Sequence, residues 1–442
     1  MDAFDNDREE VIKRAKDAGL EAMITIGSDF EGCKGAVAIA GEYDFIYAAV
    51  GIHPHDSKDF TDGMFDQIKK WSKGSKVVAI GEIGLDYHYD HSPRDVQQEV
   101  FIRQLKYAVD NGIPAVIHSR EAKEDTFKIL EDSGITKGVM HFFSYDMETA
   151  DRAMELGLYI SVAGPVTFKK ALQLKEIAKI IPDERLLVET DAPFLAPDPL
   201  RGKRNEPAFV VNTIRVLAEL RGVTLEDIAR ITTINAKKLF GIGELPEGEI
   251  AYKIRDSLYL NITNKCTSKC IFCVRFNTDF VKGHNLRLKH EPTAEELRNA
   301  IGDPSRYKEV VFCGLGEPLL RLDVVKAVAA WVKEKGGRVR VNTNGHGNLI
   351  HKRNILPELA GLVDSMSISL DAQDEETYQN ICKPVFRDAL QEVEAFIKEA
   401  KKFVAEVQAT VVTAEGVDVD KCRAITDELG VKLRVRSLDV VG

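Results

Sequence analysis

The 442-residue sequence is poorer in several features than its length would allow. No apolar run approaches the ~18–20 residues that cross a bilayer, and the acidic start Met1-Asp-Ala-Phe-Asp5 has no basic, apolar signal-peptide pattern, so a cytoplasmic chain with no membrane association is expected. Basic excess is missing too. The net charge is −10, with 31 basic and 43 acidic side chains in residues 1–250 and 29 and 27 in residues 251–442. Bulk charge therefore does not make a tight nucleic-acid binder of either half, and phosphate affinity has to come from metal or from a few local basic residues. Cysteine is scarce: there are seven, an odd number, and three fall within eight residues. That pattern excludes a disulfide framework and favours metal binding in a reducing compartment.

What is present is soluble globular composition, 44% hydrophobic and 29% charged, at a length that predicts two domains. Apolar strand-like runs recur at residues 22–26, 46–50, 77–81, 115–117, 138–140, 158–162 and 186–188, with helical spacing between them. Alternation of this kind predicts a parallel sheet of (β/α)8-barrel type. Seven strands are counted where eight are required, and the chain opens on a helix, Asp7 to Ala18, so the first strand is the one absent.

Such barrels keep their chemistry at the C-terminal ends of strands. There the sequence places His53 and His55 (Gly51-Ile-His-Pro-His55), Glu82 (Gly81-Glu-Ile-Gly-Leu-Asp86), His118 (Ile117-His-Ser-Arg120), His141 (Met140-His-Phe-Phe-Ser144) and Asp191 (Glu189-Thr-Asp-Ala-Pro193). A lone histidine ending an apolar strand is usually a hydrogen-bonded core residue. Glutamate, two histidines and an aspartate on four strands instead suit one or two divalent metals that activate water.

These motifs, with Arg201-Gly-Lys-Arg-Asn-Glu-Pro207, make residues 1–245 resemble the TatD family of metal-dependent hydrolases, which are deoxyribonucleases of amidohydrolase-like barrel fold. The resemblance implies that Glu82 bridges two metals (Mg, Mn or Zn), that His118 and His141 hold one, and that Asp191 holds the other and helps activate the attacking water. Arg120, Lys203 and Arg204 are then expected to contact phosphates of DNA or another phosphodiester, since guanidinium forks match phosphate oxygens. The family pattern opens with a His-x-His pair that ligates the metal shared with Asp191, and this sequence begins downstream of that pair. His53 and His55 belong to a different motif and are not given its role.

Gly241 is read as a helix stop and residues 246–253 as a short polar linker. Beyond it, six strands (258–263, 310–312, 338–342, 365–370, 404–412 and 431–435) alternate with helices, which predicts an open, partial (β/α)6 barrel over residues 254–442. Its first strand runs into Cys266-Thr-Ser-Lys-Cys270-Ile-Phe-Cys273, a C-x3-C-x2-C loop. Three thiolates this close suit a soft metal or an iron–sulfur cluster with one open position, and a zinc-stabilised loop in an interaction protein is the alternative. Cys313-Gly-Leu-Gly-Glu-Pro318, Asn342-Thr-Asn-Gly345 and Ser367-Ile-Ser-Leu-Asp371 end the next three strands.

In that order the set resembles the radical S-adenosylmethionine (SAM) core, and Ser369-Leu-Asp-Ala-Gln-Asp-Glu-Glu-Thr-Tyr378 is most like its molybdenum-cofactor-biosynthesis branch. The resemblance implies a [4Fe–4S] cluster on Cys266, Cys270 and Cys273, with SAM on the open iron. It further implies SAM contacts from Phe272, Gly314, Gly316, Glu317, Asn344, Ser369 and Asp371, an electron-donating partner such as a flavodoxin or ferredoxin, and reductive SAM cleavage to a 5′-deoxyadenosyl radical. Leu315 separates two glycines that are usually adjacent. Cys33, Cys313, Cys382 and Cys422 are read as buried or incidental. The expected protein is a fusion of two enzymes; the competing expectation makes the first barrel a non-hydrolytic docking or substrate-binding module.

Overall fold

The structure, a computed structural model, describes residues 2–438. The chain divides into two compact units, Met1–Leu245 and Pro246–Gly442. No helix among the described residues is long and apolar enough to cross a membrane.

In the first unit, β1 (Met23–Gly27), β2 (Ile46–Val50), β3 (Val77–Asp86), β4 (Ala115–Arg120), β5 (Gly138–Met140), β6 (Tyr159–Val162) and β7 (Leu186–Val188) form one parallel sheet in sequence order. Successive side chains alternate between two faces. Ile80, Ile117 and Ile160 join the larger core with Phe101, Leu105, Phe127 and Leu217 from the covering helices. Ala49, Ala79, Val116, Val139 and Leu187 face the other way and are filled by Leu239 with Phe240. The sheet is barrel-like and open: β1 and β7 are its edges, and no eighth strand appears among the described residues.

The helix Leu225–Phe240 closes this face because its ends are well specified. Thr224 and Asp227 form a capping box, and Gly241 stops the helix at φ 64°. Asn235 Nδ2 donates to the carbonyls of Asp183 (2.6 Å) and Leu186 (2.8 Å), which fixes the helix against the start of β7.

The second unit has a seven-stranded sheet in the order β16-β15-β14-β13-β12-β9-β8. Its members are β8 (Ala251–Ile254), β9 (Ser257–Leu260), β12 (Val310–Phe312), β13 (Val339–Thr343), β14 (Ser365–Ser369), β15 (Glu406–Val412) and β16 (Lys432–Arg436). A small hairpin, β10 (Phe280–Val281) and β11 (His284–Asn285), lies apart from it. All neighbours pair in parallel except β8, which is antiparallel to β9. The six expected strands are therefore joined by a seventh drawn from the stretch read as linker. Residues 246–253 are knitted into this unit: Glu249 N donates to Asn285 O (2.7 Å), and Asn285 Nδ2 donates to Pro246 O (2.8 Å). A Cβ on Gly248 would stand 2.0 Å from Arg287 O, so only glycine lets these segments meet.

Candidate active sites

The first site is assembled at the strand ends of unit one. On β3, the glycines beside Glu82 allow unusually close contact with β4. A Cβ on Gly81 would lie 2.5 Å from Val116 Cβ, and one on Gly84, at φ +147°, 1.9 Å from His118 O. The β3–β4 register shifts between Ile80 and Ile83, a bulge that re-aims Glu82. Its Oε1 stands 2.7 Å from His118 Nδ1 and 3.5 Å from both His53 Nε2 and His141 Nε2. Asp191 Oδ1 is 3.8 Å from His141 Nε2, and Asp191 sits in the left-handed region at φ 53°. All four expected ligands therefore meet.

The structure also brings in residues that the sequence reading left out. His53, held outside the metal site there, is inside it: His53, Glu82 and His118 offer three ligand atoms within 4.8 Å of one another. Asp86 is 1% exposed and contacts His118 Nε2 at 3.0 Å and His55 Nε2 at 3.1 Å. Glu189 Oε1 lies 3.0 Å from His141 Nδ1 and accepts from Phe142 N at 3.0 Å, orienting the imidazole as a carboxylate behind a ligand does. The signals for these three were present in the quoted motifs, since each lies within three residues of a strand end or a named ligand.

Electrostatics follow from this packing. Burial raises the Glu82 carboxyl, but the His141 charge and hydrogen bonds from His118 and His53 outweigh it and hold the group well below the usual range. Burial lowers His118 and His141, yet carboxylates override it and both rise: Asp86 and Glu82 act on His118, Glu189 and Glu82 on His141. Burial pushes Asp191 up to about 7. Imidazoles and carboxylates of this mixture are the ligands of divalent first-row metals, so the donor set fits a metal-dependent hydrolase.

The phosphate-contact residues divide. Arg120 lies over the Tyr89 ring at 4.8 Å, and Lys203 is exposed. Arg204 has partners within the chain: its guanidinium forks onto Asp7 (2.8 and 2.5 Å) and donates to Ala3 O (2.6 Å). Together with the Arg14–Glu206 fork (3.0 and 2.7 Å) it fastens the helix Arg8–Asp17 to residues 204–206. Charge in a loop gave no hint of this partner, because Asp7 lies 197 positions away.

The second site centres on the Cys266–Cys273 loop. Among the described residues only His53, Glu82 and His118 converge as ligands of one ion do, so the three cysteine sulfurs stand further apart. Ligands of separate irons in one cluster need not converge. The glycines of the β12 loop serve this loop's close approach: a Cβ on Gly316 would fall 2.3 Å from Lys265 O, and one on Gly314 2.0 Å from Asn261 Oδ1. Glu317 is 3% exposed, and burial pushes it up to about 7. Its Oε1 accepts from Leu319 N (2.9 Å) and Thr343 Oγ1 (2.8 Å), its Oε2 from Asn344 N (2.7 Å). Three of roughly four acceptor positions are thus used inside the chain, joining the ends of β12 and β13.

Asn344 Nδ2 donates to Thr267 Oγ1 (2.8 Å) and reaches Cys266 Sγ at 3.8 Å. Phe272 packs on the unit's main core. Asp371, 5% exposed and at φ 57°, keeps a buried Oδ1 with no hydrogen-bond partner. A buried carboxylate oxygen left without a partner fits a ligand that brings donors, as a ribose hydroxyl or an ammonium does.

Comparison with known proteins agrees with both halves. Residues 1–241 match the family model described as TatD related DNase, and residues 260–428 match the radical SAM superfamily. The metal-dependent hydrolase YabD of Bacillus subtilis is 49% identical over 241 residues, 54% of this chain and 94% of that protein. The 3′–5′ ssDNA/RNA exonuclease TatD of Pectobacterium carotovorum is 34% identical over 245 residues, 54% of this chain and 94% of that protein. The crystal structure of YJJV, a TatD homologue from Escherichia coli, superposes with a TM-score of 0.52 at 32% identity, covering 54% of this chain and 94% of its own. The chain belongs to the TatD-related DNase family through residues 1–241 and carries a radical SAM domain in residues 260–428.

Proposed function

We propose that the first unit is a divalent-metal-dependent phosphodiester hydrolase acting on nucleic acid, and that the second is a radical SAM enzyme. The observation that carries the first reading is the convergence of His53, His118 and His141 on one oxygen of Glu82, with Asp191 beside them. Glu82, His118, His141 and Asp191 would hold one or two divalent metals, with His53 at the same centre. The metal supplies charge to the phosphoryl oxygen and lowers the pKa of bound water. Asp191, beside His141, would take up the attacking water's proton. Arg120 and Lys203 are the cations left to steer phosphate, and the single-strand activity of the Pectobacterium relative makes single-stranded DNA the first substrate to try. Manganese-dependent shortening of labelled single-stranded DNA, stopped by a chelator and by Asp191→Asn, is the expected result. No cleavage above a protein-free control, at full metal occupancy, would sink the reading.

In the second unit Cys266, Cys270 and Cys273 would hold a [4Fe–4S] cluster, and Asn344, Ser369 and Asp371 would meet SAM. The cluster and SAM, when bound, supply an electron and a carbon radical that removes hydrogen from a substrate. The chain's part is to exclude water and hold the loop: Gly316 gives the close contact, and Glu317 and Asn344 fix its back. A reduced electron-transfer protein of flavodoxin or ferredoxin type would serve this half. Anaerobic reconstitution and reduction should yield 5′-deoxyadenosine and methionine from SAM. Iron-loaded protein that leaves SAM intact would overturn this reading and leave the hydrolase untouched.

A further inference from the structure

Cys382 is not among the cluster cysteines, yet it belongs to their neighbourhood. It is the last residue of the helix Glu375–Cys382, 2% exposed. The chain leaving that helix runs antiparallel to the cluster loop. Val385 N donates to Thr267 O (2.9 Å), Lys269 N to the carbonyls of Lys383 (3.2 Å) and Cys382 (3.0 Å), and Ile271 N to Ile381 O (2.9 Å). Ser268 and Pro384 form a β-bridge. The bonds from Lys269 N and Ile271 N flank Cys270 and end on the carbonyls of Cys382 and Ile381, which holds Cys270 beside the last turn of the helix.

Disulfides span Cα separations of about 4.4–6.8 Å. Cys382 lies in the unit's main core, and Cys270 packs against that core. Both cysteines are free thiols, Cys382 buried and Cys270 partly open to solvent.

We propose that Cys270 and Cys382 are a neighbouring thiol pair that closes as a disulfide when the loop carries no cluster. The oxidant is a peroxide. Cys270, the more accessible sulfur, gives up an electron pair to hydrogen peroxide, becoming a sulfenic acid as one water leaves. The Cys382 sulfur then attacks it, the S–S bond forms and the second water departs. Overall two thiol hydrogens and two electrons pass to one peroxide, which becomes two waters. The bond takes Cys270 out of the iron-ligand set and protects it from irreversible oxidation, and a dithiol restores it. Cluster and disulfide exclude each other because they use the same sulfur.

Cluster-free full-length chain, purified anaerobically and exposed to stoichiometric hydrogen peroxide, is the material for the test. Non-reducing peptide mapping should join the Cys270 and Cys382 peptides, with the mass of two hydrogens lost and two fewer thiols alkylated. The oxidised chain should take up no iron–sulfur cluster until dithiothreitol is added. Cys382→Ser should lose the link and, kept reduced, load iron at the wild-type level. A link from Cys270 to Cys266 or Cys273, or a Cys382 still alkylated after oxidation, overturns the proposal. Mapping of the wild-type chain decides it even where the variant folds poorly. The mapping arm stands without the cluster assignment; the iron-loading arm rests on it, so the two failures are distinguishable.

Discussion

The two units solve the same problem, arranging ligands at the C-terminal ends of parallel strands, with opposite chemistry. In the first, the proposed ligands come from five separate strand ends and satisfy one another: Glu82 is surrounded by imidazoles, His118 lies between two carboxylates, and His141 between Glu189 and Glu82. In the second, all three proposed ligands come from one loop, and thiols cannot neutralise one another. That loop is positioned by its surroundings instead, through Glu317, Asn344 and the backbone of residues 381–385. The faces behind the sites differ likewise. The first sheet turns small apolar residues toward a plugging helix. The second carries a polar row, with Arg340 Nη1 donating to Asn342 (3.0 Å) and Gln408 Nε2 to Ser367 (2.6 Å). A self-satisfied ligand set is preorganised before metal arrives; a loop of thiols is preorganised only from behind.

Removing one ligand from the loop is the most severe way to separate the sites. Cys273→Ala should bring iron content and SAM cleavage to background, because no neighbour can take the lost thiolate's place, while divalent-metal content stays at the wild-type level. Iron, manganese, magnesium and zinc analysis of the same sample measures both. Parallel loss of the divalent metal would erase the independence of the two sites. Next in size is Asp191→Asn, which removes the proposed base and should lower DNA cleavage about 10²–10⁴-fold. SAM cleavage should not change.

A smaller effect tests the contrast between support from ligand partners and support from behind. Glu189→Gln keeps the shape behind His141 and removes the charge, and should weaken metal affinity about 10–100-fold. Calorimetric metal titration reads it. Asn344→Ala, which unties the loop at Thr267 and Cys266, should slow cluster reconstitution and leave that metal titration unchanged. An unaltered metal affinity in Glu189→Gln would show that His141 needs no partner and would break the comparison.

The sequence was most legible where a strand is a continuous apolar run: residues 46–50, 138–140 and 186–188 are strands as read. Such strands are buried on both faces, so their hydrophobicity is unbroken. β8 was lost because its four residues follow a Pro/Gly-containing polar stretch and depend on pairing with β9. Among the site residues, Glu82, His118, His141 and Asp191 stood out as polar side chains ending apolar strands. His53 shares that position but lay in a His-Pro-His motif to which the family resemblance gave no metal role. The Arg204 ion pair was not legible for a physical reason: its partner Asp7 is remote in sequence. Spacing shows which ligands a loop can offer, and tertiary contact decides which are already taken.

The smallest effect expected at neutral pH concerns the sign of the charge at each site. In the first unit His118 and His141 are raised by carboxylates, so their stabilisation is full below the unfolded-state value of about 6.5 and fades as pH climbs through the higher folded value. His346 in the second unit is the reverse. It is fully buried between Thr267 Oγ1 (2.9 Å) and Tyr378 Oη (3.0 Å), and burial pushes it down to about 4. The neutral ring can donate to one hydroxyl and accept from the other; the charged ring must donate to both, and the Glu375 carboxylate offsets only part of the burial cost. Its contribution is therefore complete above about pH 6.5 and lost as pH falls toward 4, roughly 3 kcal/mol across that window. His346→Gln keeps a donor and an acceptor but cannot titrate. Urea unfolding of the second unit should show a smaller acid loss in this variant, with the two proteins converging near neutrality and the first unit's transition following neither. An unchanged acid slope would mean that His346 is already charged in the fold, and the two sites would then share the same electrostatic design.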